Sequence, residues 1–143
     1  MKGAIQYLDV SYFLHATEDG GKVNSAVAAL IGSDVQFEEE VMVGHFGNPI
    51  RRFELLLHGE EAARSLDRLV ASFPPPLRVS IAQEIDQHID EHASLFLRLD
   101  KQKLVQGRVG MGSGDVVRLK VKPRTFVMKG RARDFFVDML LAK

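Results

Sequence analysis

The chain has 143 residues, 45% of them hydrophobic, with 19 Lys/Arg balanced by 19 Asp/Glu. A chain of this length makes one domain, here expected over residues 1–143, that needs no metal or disulfide to fold. The absence of cysteine excludes disulfide scaffolds, zinc-thiolate sites and thiol catalysis.

The zero net charge conceals a segregation. Residues 1–92 carry 7 Lys/Arg against 15 Asp/Glu, and residues 93–143 carry 12 against 4. Such asymmetry suggests an anionic partner for the basic half, and a nucleic-acid backbone is the commonest one. The N-terminus lacks the apolar run of a signal peptide, and no stretch approaches the ~18 apolar residues of a membrane helix. A cytoplasmic protein is expected, with no membrane partner and no cofactor.

In chain order, Ala4 to His15 reads as a buried strand (Ile5, Tyr7, Leu8, Val10, Tyr12, Phe13, Leu14). Thr17-Glu18-Asp19 then offers a capping oxygen and two acids to a helix that runs to Ile31, where Gly32 closes it. Val35 to Val43 alternates and contains Glu38-Glu39-Glu40. Gly44 to Pro49 is a loop, and Ile50 to Leu57 is a strand able to form a hairpin with it. Gly59 to Phe73 is an amphipathic helix stopped by Pro74-Pro75-Pro76, and a second helix is predicted from Leu77 to Asp90. Strands are predicted near Ser94–Asp100, Lys103–Val109 and Val116–Lys122, with the glycine-rich segment 110–115 as a hairpin turn, and Arg131 to Leu141 closes as a helix. The order β-α-β-β-α-α-β-β-β-α predicts an α+β, two-layer domain with helices packed on one face of a mixed sheet.

Side chains alternate across a sheet. In Val116–Lys122 this sends Val117, Leu119 and Val121 inward and sets Arg118, Lys120 and Lys122 on the outer face. In Leu95–Asp100 it sets Phe96, Arg98 and Asp100 outward. Arg98, Arg118, Lys120 and Lys122 would then make a basic stripe, with Lys101, Lys103, Arg108 and Arg124 near its edges and Asp100 as a structural partner of Lys101 or a neighbouring Arg. Exposed, Phe96 could stack on a base; covered by a helix, it would be core. A second candidate is the loop His45-Phe46-Gly47-Asn48-Pro49-Ile50-Arg51-Arg52. It sets an imidazole, a carboxamide and two guanidinium groups beside one bend, where backbone N–H groups can join Arg in holding phosphate. It could equally be a plain hairpin turn.

Competing signals are weaker. His88-Ile89-Asp90-Glu91-His92 matches H-x-x-E-H, but no glutamate follows Glu91 to serve as the usual third zinc ligand, which makes a zinc hydrolase at His88/His92 a distant reading. The glycines at 107, 110, 112 and 114 are not followed by G-K-[S/T], and no G-x-S-x-G elbow is present. The stronger rival is a protein-interaction subunit whose acidic and basic parts dock to different partners.

His15-Ala16-Thr17-Glu18-Asp19, then Gly44-His45-Phe46-Gly47-Asn48-Pro49-Ile50, then Leu97-Arg98-Leu99-Asp100-Lys101-Gln102 and the Val116–Pro123 strand occur in an order that resembles a known family. These are the small archaeal proteins described as predicted exosome-associated RNA-binding proteins, and the resemblance spans roughly residues 7–125. It implies a fold similar to the large-subunit ribosomal protein that binds the small rRNA of the central protuberance. It also implies RNA binding in RNA processing, degradation or ribosome biogenesis, exosome or ribosome-assembly proteins as partners, and no catalytic residues. The combined expectation is a non-enzymatic protein that binds structured RNA by shape, through phosphates. Arg98, Lys101, Gln102, Lys103, Arg108, Arg118, Lys120 and Lys122 would supply the binding groups, and His45, Asn48, Arg51 and Arg52 would fix orientation.

Overall fold

The computed structural model describes residues 3–32, 36–44, 47–124 and 129–142. Strand β1 (Ile5–His15) leads through Asp19 into α1 (Gly20–Ile31); β2 (Glu38–Val43) and β3 (Pro49–His58) form a hairpin; α2 (Gly59–Ser72) and α3 (Pro75–Gln83) follow. After a 3-10 turn at Ile85–Gln87 come β4 (Leu95–Asp100), the short α4 (Lys101–Val105), β5 (Val116–Pro123) and α5 (Lys129–Leu141). The five strands are ordered β2-β3-β1-β5-β4, and every adjacent pair is antiparallel.

The expected α+β layering is the one observed, with every helix that packs on the sheet lying on one face of it. Period-two burial in β1 sends Leu8, Val10, Tyr12 and Leu14 into the core. They join Phe53, Leu55 and Leu57 of β3, Leu95, Leu97 and Leu99 of β4, and Val117, Leu119 and Val121 of β5 in one cluster with Val27, Leu66, Leu69 and Phe136 of the helices. Tyr12 stacks on Phe53 at 5.2 Å between ring centroids. Its hydroxyl donates to Asn24 Oδ1 at 2.6 Å, which satisfies the polar end of a buried ring. Burial pushes that phenol well above its ordinary pKa.

Local signals set most boundaries. Asp19 caps α1 by accepting from the Lys22 N–H at 3.2 Å, and Gly32 ends that helix. Glu60 and Glu61 sit in the first turn of α2, where the helix dipole favours acids. Pro75 and Pro76 open α3, since proline needs no N–H in a first turn.

Three expectations are corrected. The sheet is antiparallel throughout rather than mixed. The helix predicted to reach Asp90 ends at Gln83. Residues 103–109 form no strand: the Asp100 carboxylate accepts from the Lys103 N–H at 2.9 Å and starts α4 instead. The segment that follows runs along the outside of β4, where Met111 bridges Leu99. Gly112 fits closely there: a Cβ would lie 3.0 Å from Asp100 Cα, so a larger residue would need the backbone to give by a few tenths of an ångström.

Candidate functional site

With the helices on one side, the opposite face of the sheet has no covering layer among the described residues, and the strand register aligns its side chains in rows. Arg98, Arg118, Ser11, Glu54 and Glu38 are successive cross-strand partners from β4 to β2. The adjacent row runs Phe96, Lys120, Asp9, Leu56, and a third runs Lys122, Tyr7, His58. The open face therefore grades from cations on β4–β5 to acids on β2–β3.

Arg98 and Arg118, both exposed, stand directly opposite one another, and neither has an ion pair or side-chain hydrogen bond among the described residues. Like charges in this arrangement cost about 0.2–1 kcal/mol, a cost that a bound anion would remove. Lys120 lies between two rings, 5.7 Å from the centroid of Tyr7 and 5.5 Å from that of Phe96. Lys122 donates to the His92 carbonyl at 2.7 Å. Phe96 is 40% exposed, so the alternative of burial under a helix is excluded. An exposed cation–π contact contributes about 0.5–1 kcal/mol. A base stacked on an aromatic ring gains about 1–3 kcal/mol, so Lys120 does not close Phe96 to a ligand.

At the centre of the face, burial and then the nearby Glu54 carboxylate push Asp9 above the usual carboxylate range, although Arg52 and Lys120 pull the other way. Glu54 moves downward, held by hydrogen bonds from Arg52 Nη1 and Nη2, both at 3.3 Å. Asp9 Oδ1 is buried with no hydrogen-bond donor among the described residues. Beside it, a shallow cavity of about 390 Å³ is lined by Asp9, Ser11, Phe96, Arg98, Arg118 and Lys120.

The register thus brings together Arg98, Arg118, Lys120 and Lys122, as the strand alternation predicts, but it places other expected RNA-binding residues elsewhere. Lys101 is fully buried and has no surface to offer RNA. Its ammonium donates to the Phe13 carbonyl at 2.5 Å and pairs with Glu18 at 2.8 Å and Asp115 at 2.9 Å, tying the end of β1 to the start of β5. Asp100 is structural, but as the cap of α4 rather than as a partner of Lys101. Gln102, Lys103 and Arg108 belong to α4 and the loop after it, which pack towards α1 rather than on the open face. Lys103 lies against Gly110, and Arg108 donates to Gln106.

The loop constellation also separates. Arg51 and Arg52 point to opposite faces: Arg51 pairs with Glu39 at 3.4 Å and lies 5.7 Å over the Phe53 ring, while Arg52 is held by Glu54. Asn48 is exposed, its carbonyl accepting from the Gly44 N–H at 2.7 Å beside Gly47 at φ +81°. His45 lies outside the described residues. The H-x-x-E-H string has no helix to align it: the Asp90 carboxylate accepts from the His92 and Ser94 N–H groups, both at 2.9 Å, and turns the chain back into β4. A group of possible metal ligands among the described residues is His15, Glu18 and Asp115, within 4.8 Å of one another, but the Lys101 ammonium already pairs with both of its acids.

The sequence reading counts Tyr7 and Phe13 as buried and passes over Asp9 and Ser11, whereas all four form the outward, partly exposed half of β1. A signal for them exists: a carboxylate in the middle of an otherwise apolar strand, at alternating positions.

A family model described as RNA binding matches residues 7–123. An RNA-binding protein of Pyrococcus abyssi is 31% identical over 141 residues, covering 92% of each chain. Among solved structures, a DUF54 protein from Methanothermobacter thermautotrophicus superposes with a TM-score of 0.79 at 28% identity, covering 96% of this chain and 98% of the other. A DUF54 protein from Archaeglobus fulgidus gives the same TM-score at 25% identity, covering 94% and 99%.

Proposed function

Because the chain belongs to the RNA-binding family, matched over residues 7–123, we propose that it holds RNA on the β4–β5 half of its open sheet face. The observation that carries this reading is the directly opposed couple Arg98 and Arg118, which has no ion-pair partner and no covering layer among the described residues. Two guanidinium groups at one cross-strand position repel each other until an anion bridges them, and guanidinium geometry suits phosphate oxygens. Lys120 and Lys122 extend the positive surface along β5. The acids of β2 and β3 repel phosphate and confine the backbone to the other half. Phosphate binding of this kind positions the protein and assigns it no catalytic residue. The role is that of an accessory factor in RNA processing, degradation or ribosome biogenesis. The resemblance to exosome-associated proteins with a ribosomal-protein-like fold supports that role.

The test is binding of a short structured RNA and a matched single strand over a salt series, followed by fluorescence anisotropy. Removing one phosphate-binding cation flattens the dependence of log K on log salt by about 1. Arg98→Ala/Arg118→Ala is therefore expected to weaken binding and flatten the slope by about 2, with thermal melting unchanged or slightly raised. A variant with the wild-type slope would overturn this placement of RNA.

A further inference from the structure

We infer that the cavity between Asp9 and Phe96 seats one unpaired nucleobase bearing an exocyclic amino group, with Phe96 as the stacking surface and the Asp9 carboxylate as acceptor for its N–H donors. This deepens the RNA-face reading and rests on it. A surface built only for phosphate has no use for a carboxylate at its centre, yet Asp9 is the direct cross-strand neighbour of Lys120. Phe96 is the neighbour of Lys120 on the other side. Asp9 and Phe96 are thus two strand spacings apart, roughly 10 Å, room for a base over Lys120 with one edge at Asp9. The cavity of about 390 Å³ is small, at the low end of the range for ligand sites. Arg98 and Arg118 line it as well, in position for the phosphates on either side of the seated nucleotide.

The carboxylate decides which base. Asp9 lines the cavity beside the Glu54 carboxylate, and its Oδ1 has no donor among the described residues, so the group gains from a donor that a ligand brings from the cavity side. Cytosine, adenine and guanine each present an amino group. Uracil offers only an imino N–H between two carbonyl oxygens, which a carboxylate repels. Recognition of this kind needs a base free of its partner strand, since an A-form duplex keeps these edges paired.

The probes are hexamers of cytidine and of uridine, which are nearly isosteric and differ at the amino position, measured near neutral pH. Wild type is expected to bind the cytidine hexamer about fivefold tighter or more. Asp9→Asn should bring the ratio to near one without weakening uridine binding, and Phe96→Ala should weaken both hexamers. Equal binding by wild type, or a ratio that survives Asp9→Asn, overturns the seat. If the ratio is one while Arg98→Ala/Arg118→Ala still flattens the salt slope, only the seat fails. If that double variant leaves affinity and slope untouched, the RNA face fails and takes the seat with it.

Discussion

Arg98 and Lys101 are three residues apart, and both are cations of the basic half, but they stand in opposite electrostatic situations. Lys101 is fully buried, and its ammonium is held by a carbonyl and two carboxylates. Arg98 is exposed, faces another guanidinium and has no acid among the described residues. Arg51 and Arg52 resemble Lys101 in being paired, with Glu39 and Glu54. A tally of basic residues therefore overstates a binding surface. Whether an acid of the same chain already answers the cation separates architecture from recognition.

The largest effect expected from this contrast is at Lys101. Lys101→Met keeps the volume but strands the half-buried Glu18, and removing one partner of a buried pair costs about 3 kcal/mol. Urea unfolding should show that loss, whereas one below about 1 kcal/mol would return Lys101 to the ranks of free cations.

Next in size come two acids that report on the two regions with opposite signs. Burial alone would raise Glu18, but the bond from Lys101 and the His15 N–H overcome it and hold the carboxyl below its ordinary 4.5. A lowered folded value means that its contribution to stability is present above the ordinary value and lost as pH falls through the folded one. Asp9 is raised above its ordinary 3.8, chiefly by burial. Its contribution is full below that value and lost as pH rises, so the ionised group is a cost at neutral pH. Melting temperatures against pH should show Glu18→Gln destabilised at neutral pH and indistinguishable from wild type in strong acid. Asp9→Asn should be stabilised at neutral pH and converge with wild type in acid. The same sign for both would break the distinction between the buried Lys101 cluster and the open face.

The smallest effect refines it. Arg118→Thr removes the like-charge opposition with Arg98 and adds a β-branched residue to a strand, a gain of about 0.5 kcal/mol. The same change should weaken RNA binding, so stability and affinity move in opposite directions. A variant that loses both would mean that Arg118 is structural.

Period-two alternation is enough to show that Arg98, Arg118, Lys120 and Lys122 share a face, because Leu97, Leu119 and Val121 have to be inside. It is not enough to set Arg98 opposite Arg118 or Asp9 beside Lys120, since register between strands far apart in sequence comes from the packed sheet. Residues 103–109 read as a strand although Asp100 announces a helix cap; valines at 105 and 109 outweigh one carboxylate in such a reading. The burial of Lys101 is not legible at all, because Phe13 and Glu18 are 88 and 83 residues away along the chain.

The two edges of the sheet are protected differently. Along β4, His88 and Ile89 cover the first half and residues 110–112 the second, through Ile89–Leu95 and Met111–Leu99 bridges. Along β2 the described residues provide no such cover, and Val41 and Val43 lie 65% and 79% exposed beside a free row of backbone groups. Such an edge is a template for another strand. Glu38, Glu39 and Glu40 stand on it, so two molecules meeting edge to edge would crowd six carboxylates onto one ladder. The acidic triplet is thus a device of colloidal stability: neutralise it, and the free edge becomes a route to fibrous self-association at the concentrations used for crystallisation or NMR.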